Sequence, residues 1–197
     1  MAAPNHSSRD ADPGPCATSL EALESRLRRD LAVTDYPART WVPPRPTTRG
    51  DAVLDALVVG AGQSGLAITF GLLRDKVTRV LAVDANAPER EGPWLTFARM
   101  PTLRTPKHVQ GPDFGLPSLS IRAYVEATEG AAAWERMTFV PRETWARYLG
   151  WYRRVLSLPV ENETRAGPLH YVPDERCFAV PLEGPGGRRT VHARTVV

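Results

Sequence analysis

A glycine-rich run at residues 60–65, with the pattern G-x-G-x-x-G, has the spacing of a site that binds the diphosphate of a dinucleotide. In this pattern Gly60 permits a tight turn, Gly62 lets the backbone approach the phosphates because it has no Cβ, and Gly65 allows close packing of a helix on a strand. A helix that begins just after Gly62 would direct its free backbone N–H groups at the phosphates. We therefore predict that a dinucleotide cofactor is bound by Gly60, Gly62, Gln63, Ser64 and Gly65.

A carboxylate lies where dinucleotide-binding proteins hold the ribose. Asp84 follows Gly65 by 19 residues and comes directly after the apolar segment 79–83. Its side chain can accept hydrogen bonds from both ribose hydroxyls and would repel a 2′-phosphate, so we expect the adenosine of FAD or NAD rather than that of NADP. The alternative is a glycine-rich turn in an unrelated α/β protein.

The segments around these residues predict a β-α-β unit. Residues 56–59, Ala-Leu-Val-Val, form a short apolar run that is typical of a buried parallel strand. A helical pattern of apolar residues continues from Leu66 to Leu73 and ends near Arg74, and residues 79–83 supply a second strand. This order predicts an α/β fold with a parallel sheet.

The residues before this unit predict a separate N-terminal segment. Residues 1–18, which are rich in Ser, Asp, Pro and Gly, predict a disordered leader. Ser19 can cap a helix that begins at Leu20, and the prolines of residues 36–46 predict an extended connector. We therefore divide the chain into a leader, a helix with its linker (19–50) and a nucleotide-binding domain (51–197).

The composition of the 197-residue chain argues against several classes of protein. Hydrophobic residues make up 42% and charged residues 24%, as is ordinary for a globular protein. The net charge of +3 comes from basic residues interleaved with acidic ones, so we expect no nucleic-acid surface. The two cysteines and four histidines are widely separated, which argues against a disulfide framework and a zinc site. No apolar run has the length of a membrane span or a signal peptide, so we expect a cytoplasmic protein without membrane contact.

The stretch after Asp84 distinguishes an FAD-binding protein from a simple NAD dehydrogenase. A dehydrogenase would continue with further strands and helices, but residues 86–120 are rich in Pro, Gly and aromatic residues and predict a long, irregular loop. Trp94 in this loop could pack on a flavin ring or simply close the core. Arg104 could reach phosphate or flavin oxygens, or form a structural salt bridge. We take Trp94 and Arg104 as candidate cofactor-binding residues.

Together these motifs resemble the FAD-binding half of flavin-containing monooxygenases, a group that includes Baeyer–Villiger and N-hydroxylating enzymes. The resemblance covers about residues 55–197 and is carried by residues 60–65, Asp84, Gly92-Pro93-Trp94, Leu103, Thr105, Lys107 and the segment 113–117. It implies a Rossmann-like FAD/NAD(P)-binding domain, in which helices flank a parallel sheet with a small antiparallel β insertion. It also implies FAD as the cofactor, NAD(P)H as the electron donor, and a small molecule and O2 as substrates.

The second half of the chain resembles later elements of the same family. Five residues recur at helical spacing and predict a helix with one face in the core: Trp145, Tyr148, Leu149, Tyr152 and Leu156. Residues 158–164 resemble the strand that follows this helix, and residues 189–197 predict a strand that returns to the parallel sheet. The chain ends before the family's Ala-Thr-Gly turn and has no second G-x-G-x-x-G, so we expect the N-terminal fragment of a longer enzyme.

Three functions stay open from the sequence. The first is an FAD-dependent, NAD(P)H-using monooxygenase of which this chain is the N-terminal part, and no catalytic side chain stands out because the cofactor performs the chemistry. The second is a non-catalytic or remnant dinucleotide-binding module. The third is an NAD-dependent dehydrogenase, which would require further β-α units after Asp84. No metal site is predicted, and the sequence does not indicate an oligomeric state.

Overall fold

An amphipathic helix opens the part of the chain that the structure describes. The computed structural model describes residues 20–197. Helix α1 spans Leu20–Val33, which confirms the helix predicted to begin at Leu20. The predicted leader (residues 1–18) and the predicted cap Ser19 lie outside the described residues.

The proline-rich connector, residues 34–52, contains no helix or strand apart from one isolated β-bridge, as its prolines predict. It is nevertheless bonded to the sheet domain. The Arg45 guanidinium donates to the carbonyl oxygens of Glu175 and Arg176 at 2.9 and 2.8 Å. Hydrogen bonds from the hydroxyl and the backbone N–H of Thr48 lower the pKa of Glu175. The boundary predicted at residue 51 stays a prediction.

The predicted β-α-β unit is present. Strand β1 spans Val53–Val59, helix α2 spans Gln63–Arg74, and strand β2 spans Val80–Val83. The two strands pair in parallel, as a crossover through a helix requires. The helix ends at the residue that the apolar pattern indicated.

Strand β1 begins before the predicted run 56–59 because a buried charge is paired. Asp55 is buried, and its Oδ1 accepts a hydrogen bond from Arg79 Nη2 at 2.7 Å and lies 3.4 Å from Arg194 Nε. A buried carboxylate without such partners would cost several kcal/mol, about 3–5 when one partner of a pair is lost. The polar residue therefore interrupts the apolar pattern without ending the strand.

The long loop predicted for residues 86–120 is largely irregular, but it contains one short strand. Strand β3, Thr102–Pro106, pairs antiparallel with strand β4, Phe139–Pro141, in a separate two-stranded sheet. A single 3-10 turn at Pro117–Leu119 ends the loop.

Two helices between these strands were not predicted. Helix α3 spans Ile121–Glu129 and helix α4 spans Ala131–Arg136. Helix α3 begins after Ser120, whose hydroxyl accepts a hydrogen bond from the Ala123 N–H at 3.2 Å. Serine is among the residue types that most often cap helices in this way.

Helix α5, Arg142–Val155, carries the largest part of the core. Its buried face contains Trp145, Tyr148, Leu149 and Tyr152, and Leu156 just beyond its end is half-buried. This confirms the predicted apolar stripe. The same cluster includes Leu23 and Leu27 of α1, so the N-terminal helix shares the core of the sheet domain.

Two tyrosine hydroxyls of α5 fix the loop segments that cover it. Tyr148 donates to the Leu119 carbonyl and Tyr152 donates to the Pro112 carbonyl, each at 2.9 Å. Burial raises the pKa of both phenols, so both stay protonated and act as donors.

Five further strands complete a seven-stranded sheet: β5 (Val160–Glu161), β6 (Arg165–Ala166), β7 (His170–Val172), β8 (Cys177–Gly184) and β9 (Gly187–Val196). The order is β5-β2-β1-β9-β8-β6, with β7 paired to β8. Strands β5, β2, β1 and β9 are parallel, and the others are antiparallel. This confirms the Rossmann-like fold, the antiparallel insertion and the final strand that returns beside β1. The carboxyl ends of β1 and β2 meet at one edge, where such folds bind nucleotides.

Two features of residues 20–197 concern membranes and metal ions. No helix in this range combines the length and apolar character needed to cross a membrane. The same range holds no group of three His, Cys, Asp or Glu side chains that could ligate a metal ion. The cytoplasmic location stays a prediction.

We predict that Leu27→Ala lowers the free energy of unfolding of the whole chain by about 2–5 kcal/mol, because a buried leucine leaves a cavity in the shared core. The measurement is urea unfolding monitored by tryptophan fluorescence. Arg28→Ala is the control, since this neighbouring residue is exposed on the same helix. Equal stabilities of the two variants would show that α1 is not part of the core.

Candidate nucleotide-binding site

The turn after β1 adopts a backbone conformation that favours glycine. Gly60 has a φ of +103°, which L side chains rarely adopt. Its N–H donates to the carbonyl of Val83 at 2.7 Å, so the turn is joined to the last residue of β2. The glycine predicted for the tight turn therefore brings the ends of the two strands together.

Helix α2 packs against this turn without room for a side chain at Gly65. A Cβ on Gly65 would lie 1.8 Å from the Gly60 carbonyl oxygen and 3.4 Å from a Val58 methyl group. The helix begins at Gln63, no side chain caps it, and its first turn has no acidic residue. Its first N–H groups therefore have no capping side chain and can donate hydrogen bonds to an anion.

The loop that leaves β2 returns to the same turn at Gly92. A Cβ on Gly62 would lie 3.4 Å from the Gly92 Cα, so the two backbones meet closely. Gly92 itself has a φ of +70°. The sequence places Gly92 in a motif but does not predict its backbone role, because a positive φ in an irregular loop leaves no periodic signal.

Asp84 stands at the carboxyl end of β2 and is bonded to both neighbouring loops. Its Oδ2 accepts from the Ala61 N–H at 2.7 Å, and its Oδ1 accepts from the N–H and the side-chain amide of Asn86 at 2.8 and 3.0 Å. A carboxylate can accept about four hydrogen bonds. Asp84 therefore has room for one further donor, and for a second when the Asn86 amide turns away.

Trp94 separates two cavities of about 230 and 240 Å3. The first lies between α2 and α5 and is lined by Ala61, Leu66, Glu91, Leu149 and Arg153, among others. The Trp94 ring meets Trp145 edge-on, with 6.3 Å between the ring centroids. The Nε1 atoms of both tryptophans are buried and have no partner among the described residues, and both side chains line the second cavity. Buried donors of this kind are normally bonded, so these two indole nitrogens are exceptions among the buried polar groups.

The second cavity brings three of the predicted site residues together: Gln63, Trp94 and Arg104. Arg104 lies on β3 and is exposed, and its side chain has no hydrogen bond or ion pair within residues 20–197. Lys107 lines the same cavity, but its Nζ donates to the Trp134 carbonyl at 2.7 Å and lies 5.1 Å from the centre of the Trp134 ring. Arg104 is therefore freer than Lys107 to meet an anionic group.

Ser64 is exposed at the start of α2 and lines neither of these two cavities. Its side chain accordingly has no observed role, and only its backbone N–H belongs to the helix end described above. The residues that sequence reasoning missed are Asn86, which bonds to Asp84, and Gly92. Asn86 follows Asp84 by two residues, the spacing of an Asx turn, and this local signal could have identified it.

We predict that Gly65→Ala lowers the free energy of unfolding by about 3 kcal/mol, because the new methyl group would overlap backbone atoms of the turn. The test is thermal and urea unfolding of the variant. Gly186→Ala is the matched control, since a Cβ there meets nothing within 4 Å. A Gly65→Ala protein as stable as this control would contradict the observed approach of α2 to the turn.

Comparison with known proteins supplies a family and a fold. A family model described as FAD-NAD(P)-binding matches residues 57–173. The FAD-dependent urate hydroxylase of Xanthomonas campestris pv. campestris is 49% identical over 147 residues, which make up 75% of this chain and 31% of that protein. The chain thus spans about a third of the length of this relative.

Solved structures of similar fold come from hydroxylating enzymes. The ornithine hydroxylase of Pseudomonas aeruginosa has a TM-score of 0.62 at 14% identity, over 74% of this chain and 38% of that chain. The ornithine N-hydroxylase of Kutzneria sp. 744 has a TM-score of 0.60 at 19% identity, over 73% and 36%. At these identities the likeness shows the fold, which is Rossmann-like as predicted. The match of the family model to more than half of the residues shows that the chain belongs to the FAD-NAD(P)-binding family.

Proposed function

We propose that this chain binds FAD and forms the FAD-binding part of an FAD-dependent, NAD(P)H-using monooxygenase. The observation that carries the proposal is the junction of β1, β2 and α2. At this junction, glycines occupy positions where a Cβ would strain or block the backbone. The buried carboxylate of Asp84 lies beside them. The 49% identity to a urate hydroxylase supports hydroxylation of a small molecule as the reaction.

The diphosphate of FAD would lie over the glycine turn. Gly60 and Gly62 allow the backbone to approach phosphate oxygens, and the uncapped N–H groups of α2, beginning at Gln63 and Ser64, supply donors and a favourable dipole. Gly65 keeps the helix end close to the turn. These donors fit a dianionic group because no acidic residue in the first turn of α2 competes with it.

Asp84 would accept the adenosine ribose. The carboxylate accepts three hydrogen bonds from the chain and has the capacity for one more, and the Ala61 N–H holds it in place. Its negative charge would repel a 2′-phosphate, so this site fits the adenosine of FAD and disfavours that of NADP.

The second cavity would hold the part of FAD beyond the diphosphate. Trp94 offers an aromatic wall, and the exposed Arg104 offers a cation that lines the same cavity. The chemistry that FAD supplies when bound is transfer of electrons from NAD(P)H to O2, with delivery of one oxygen atom to the substrate. The residues of this chain orient the cofactor and exclude water, and none of them has to act as a catalytic acid or base.

A dehydrogenase that uses NAD alone would continue from β2 into another β-α unit. Here the chain passes from Asp84 into an irregular loop and reaches β5, the next parallel strand, only after α3, α4 and α5. The proposal includes a small-molecule substrate and no nucleic acid or membrane partner.

We predict that Asp84→Asn raises the Kd for FAD about thirtyfold, since a charge-assisted hydrogen bond is worth about 1.5–3 kcal/mol. The measurement is titration of the full-length apoprotein with FAD, followed by flavin fluorescence and calorimetry, with a melting curve for each variant. Asp174→Asn is the matched control, because Asp174 is exposed and distant from the turn in the β7–β8 loop. An unchanged Kd would remove Asp84 from the site, and a wild-type protein that binds no flavin would overturn the proposed function.

We also predict that Trp94→Ala raises the Kd for FAD about fivefold, because an aromatic contact contributes about 0.5–1.5 kcal/mol beyond its buried area. Quenching of tryptophan fluorescence by bound flavin should decrease in the same variant. Trp41→Ala is the control, since Trp41 is an exposed tryptophan of the connector. Identical titrations for the two variants would assign Trp94 to the core alone.

A further inference from the structure

The side-chain amide of Asn162 links the loop between Asp84 and Gly92 to the end of α5, beside two direct ion pairs, Arg153–Glu91 and Arg154–Glu89. The Asn162 Nδ2 donates to the Asn86 carbonyl at 3.1 Å and to Glu91 Oε1 at 2.7 Å. Its Oδ1 accepts from Arg153 Nη1 at 2.6 Å. A single residue just after β5 therefore bonds to both ends of this loop and to the helix that packs beneath it.

The group around this amide is closed and largely shielded from solvent. Arg153 Nη1 also donates to Glu91 Oε1 at 2.5 Å, and Arg153 Nη2 donates to the Val160 carbonyl at 3.1 Å. The side chains of Arg153 and Glu91 are 22% and 11% exposed. The attraction between these two charges is screened by solvent less than that of a surface pair. The hydrogen bonds of the pair fix its geometry.

Each end of the loop leads directly to the nucleotide site. Asn86, whose carbonyl accepts from the Asn162 amide and from the Glu163 N–H, donates twice to Asp84 Oδ1. Glu91, held at the other end, precedes Gly92, which meets Gly62 of the glycine turn. The same amide thus acts on the orientation of the carboxylate and on the distance between the loop and the turn.

We propose that Asn162 is a positioning residue for the nucleotide site, with Arg153 and Glu91 as its partners. This inference rests on the proposed function and deepens it: a residue outside the motifs sets the affinity for the adenosine diphosphate part of the cofactor. Asn162 opens an Asn-Glu-Thr sequence of the kind that accepts glycans, but its amide is fully used in bonds to the chain and Thr164 is buried.

Replacement of Asn162 by alanine should loosen the loop without touching the glycine turn. In Asn162→Ala we expect the Kd for FAD to rise about tenfold, the factor for one hydrogen bond of about 1.4 kcal/mol. In the apoprotein, amide hydrogen exchange of residues 84–92 should become faster, because the loop loses two side-chain hydrogen bonds and keeps its backbone bonds and its ion pairs with α5. This second readout does not depend on catalysis or on bound flavin.

A pair of polar exchanges separates positioning from general damage. Asn162→Asp keeps an acceptor for Arg153 but places a carboxylate against Glu91, so it should weaken FAD binding at least as much as alanine. Adding Glu91→Gln restores the charge of the pair, and the amide introduced at position 91 can donate to the carboxylate introduced at position 162. We expect the double variant to recover the part of the affinity that depends on the contact with position 91, whereas the bond to the Asn86 carbonyl stays lost.

The structural control is Tyr148→Phe, which removes a buried hydrogen bond of the same helix far from the loop. It should lower the melting temperature comparably and leave the Kd for FAD unchanged. An equal rise of Kd in Tyr148→Phe and Asn162→Ala, or no rescue in the double variant, would overturn the positioning role. If the wild-type protein binds FAD and Asn162→Ala has the same Kd, this inference alone is overturned. If the wild-type protein does not bind FAD, both proposals are overturned.

Discussion

The contact between the Gly65 Cα and the Gly60 carbonyl is the constraint on which the nucleotide site depends. A methyl group at position 65 would stand 1.8 Å from that oxygen, so α2 can begin where it does only because no side chain is present. The helix end then lies beside the ends of β1 and β2. Without this approach, the uncapped N–H groups and the carboxylate of Asp84 would not face the same space.

Local chemistry made this half of the site predictable from the sequence. The glycine spacing, the apolar run of β1 and the position of Asp84 are separated by few residues, and each follows from backbone sterics or strand burial. The core face of α5 was predictable for a similar reason, because helical periodicity records which side is buried. The outline of the sheet followed once these elements had been assigned.

The remaining features depend on contacts between residues that are distant in the sequence. Asp55 is tolerated in β1 because Arg194 approaches it from the other end of the chain. Asn162 meets Asn86 across 76 positions, and Glu91 meets Arg153 across 62. Polar residues of these types are ordinary on a surface, so no periodicity or spacing marks them. Helices α3 and α4 are short, and tertiary packing rather than propensity stabilises such helices.

The distribution of satisfied and unsatisfied groups gives the site its chemical character. Most buried polar groups around the turn are bonded to the chain itself: Asp84 to Ala61 and Asn86, and Lys107 to Trp134. Among the described residues, the groups left open near the turn are the donors at the start of α2 and the Arg104 cation. Donors and a cation favour an anionic ligand, and the remaining acceptor capacity of Asp84 favours a hydroxyl. A ligand that carries a diphosphate next to a ribose meets both requirements, whereas a purely apolar ligand would leave these groups unpaired.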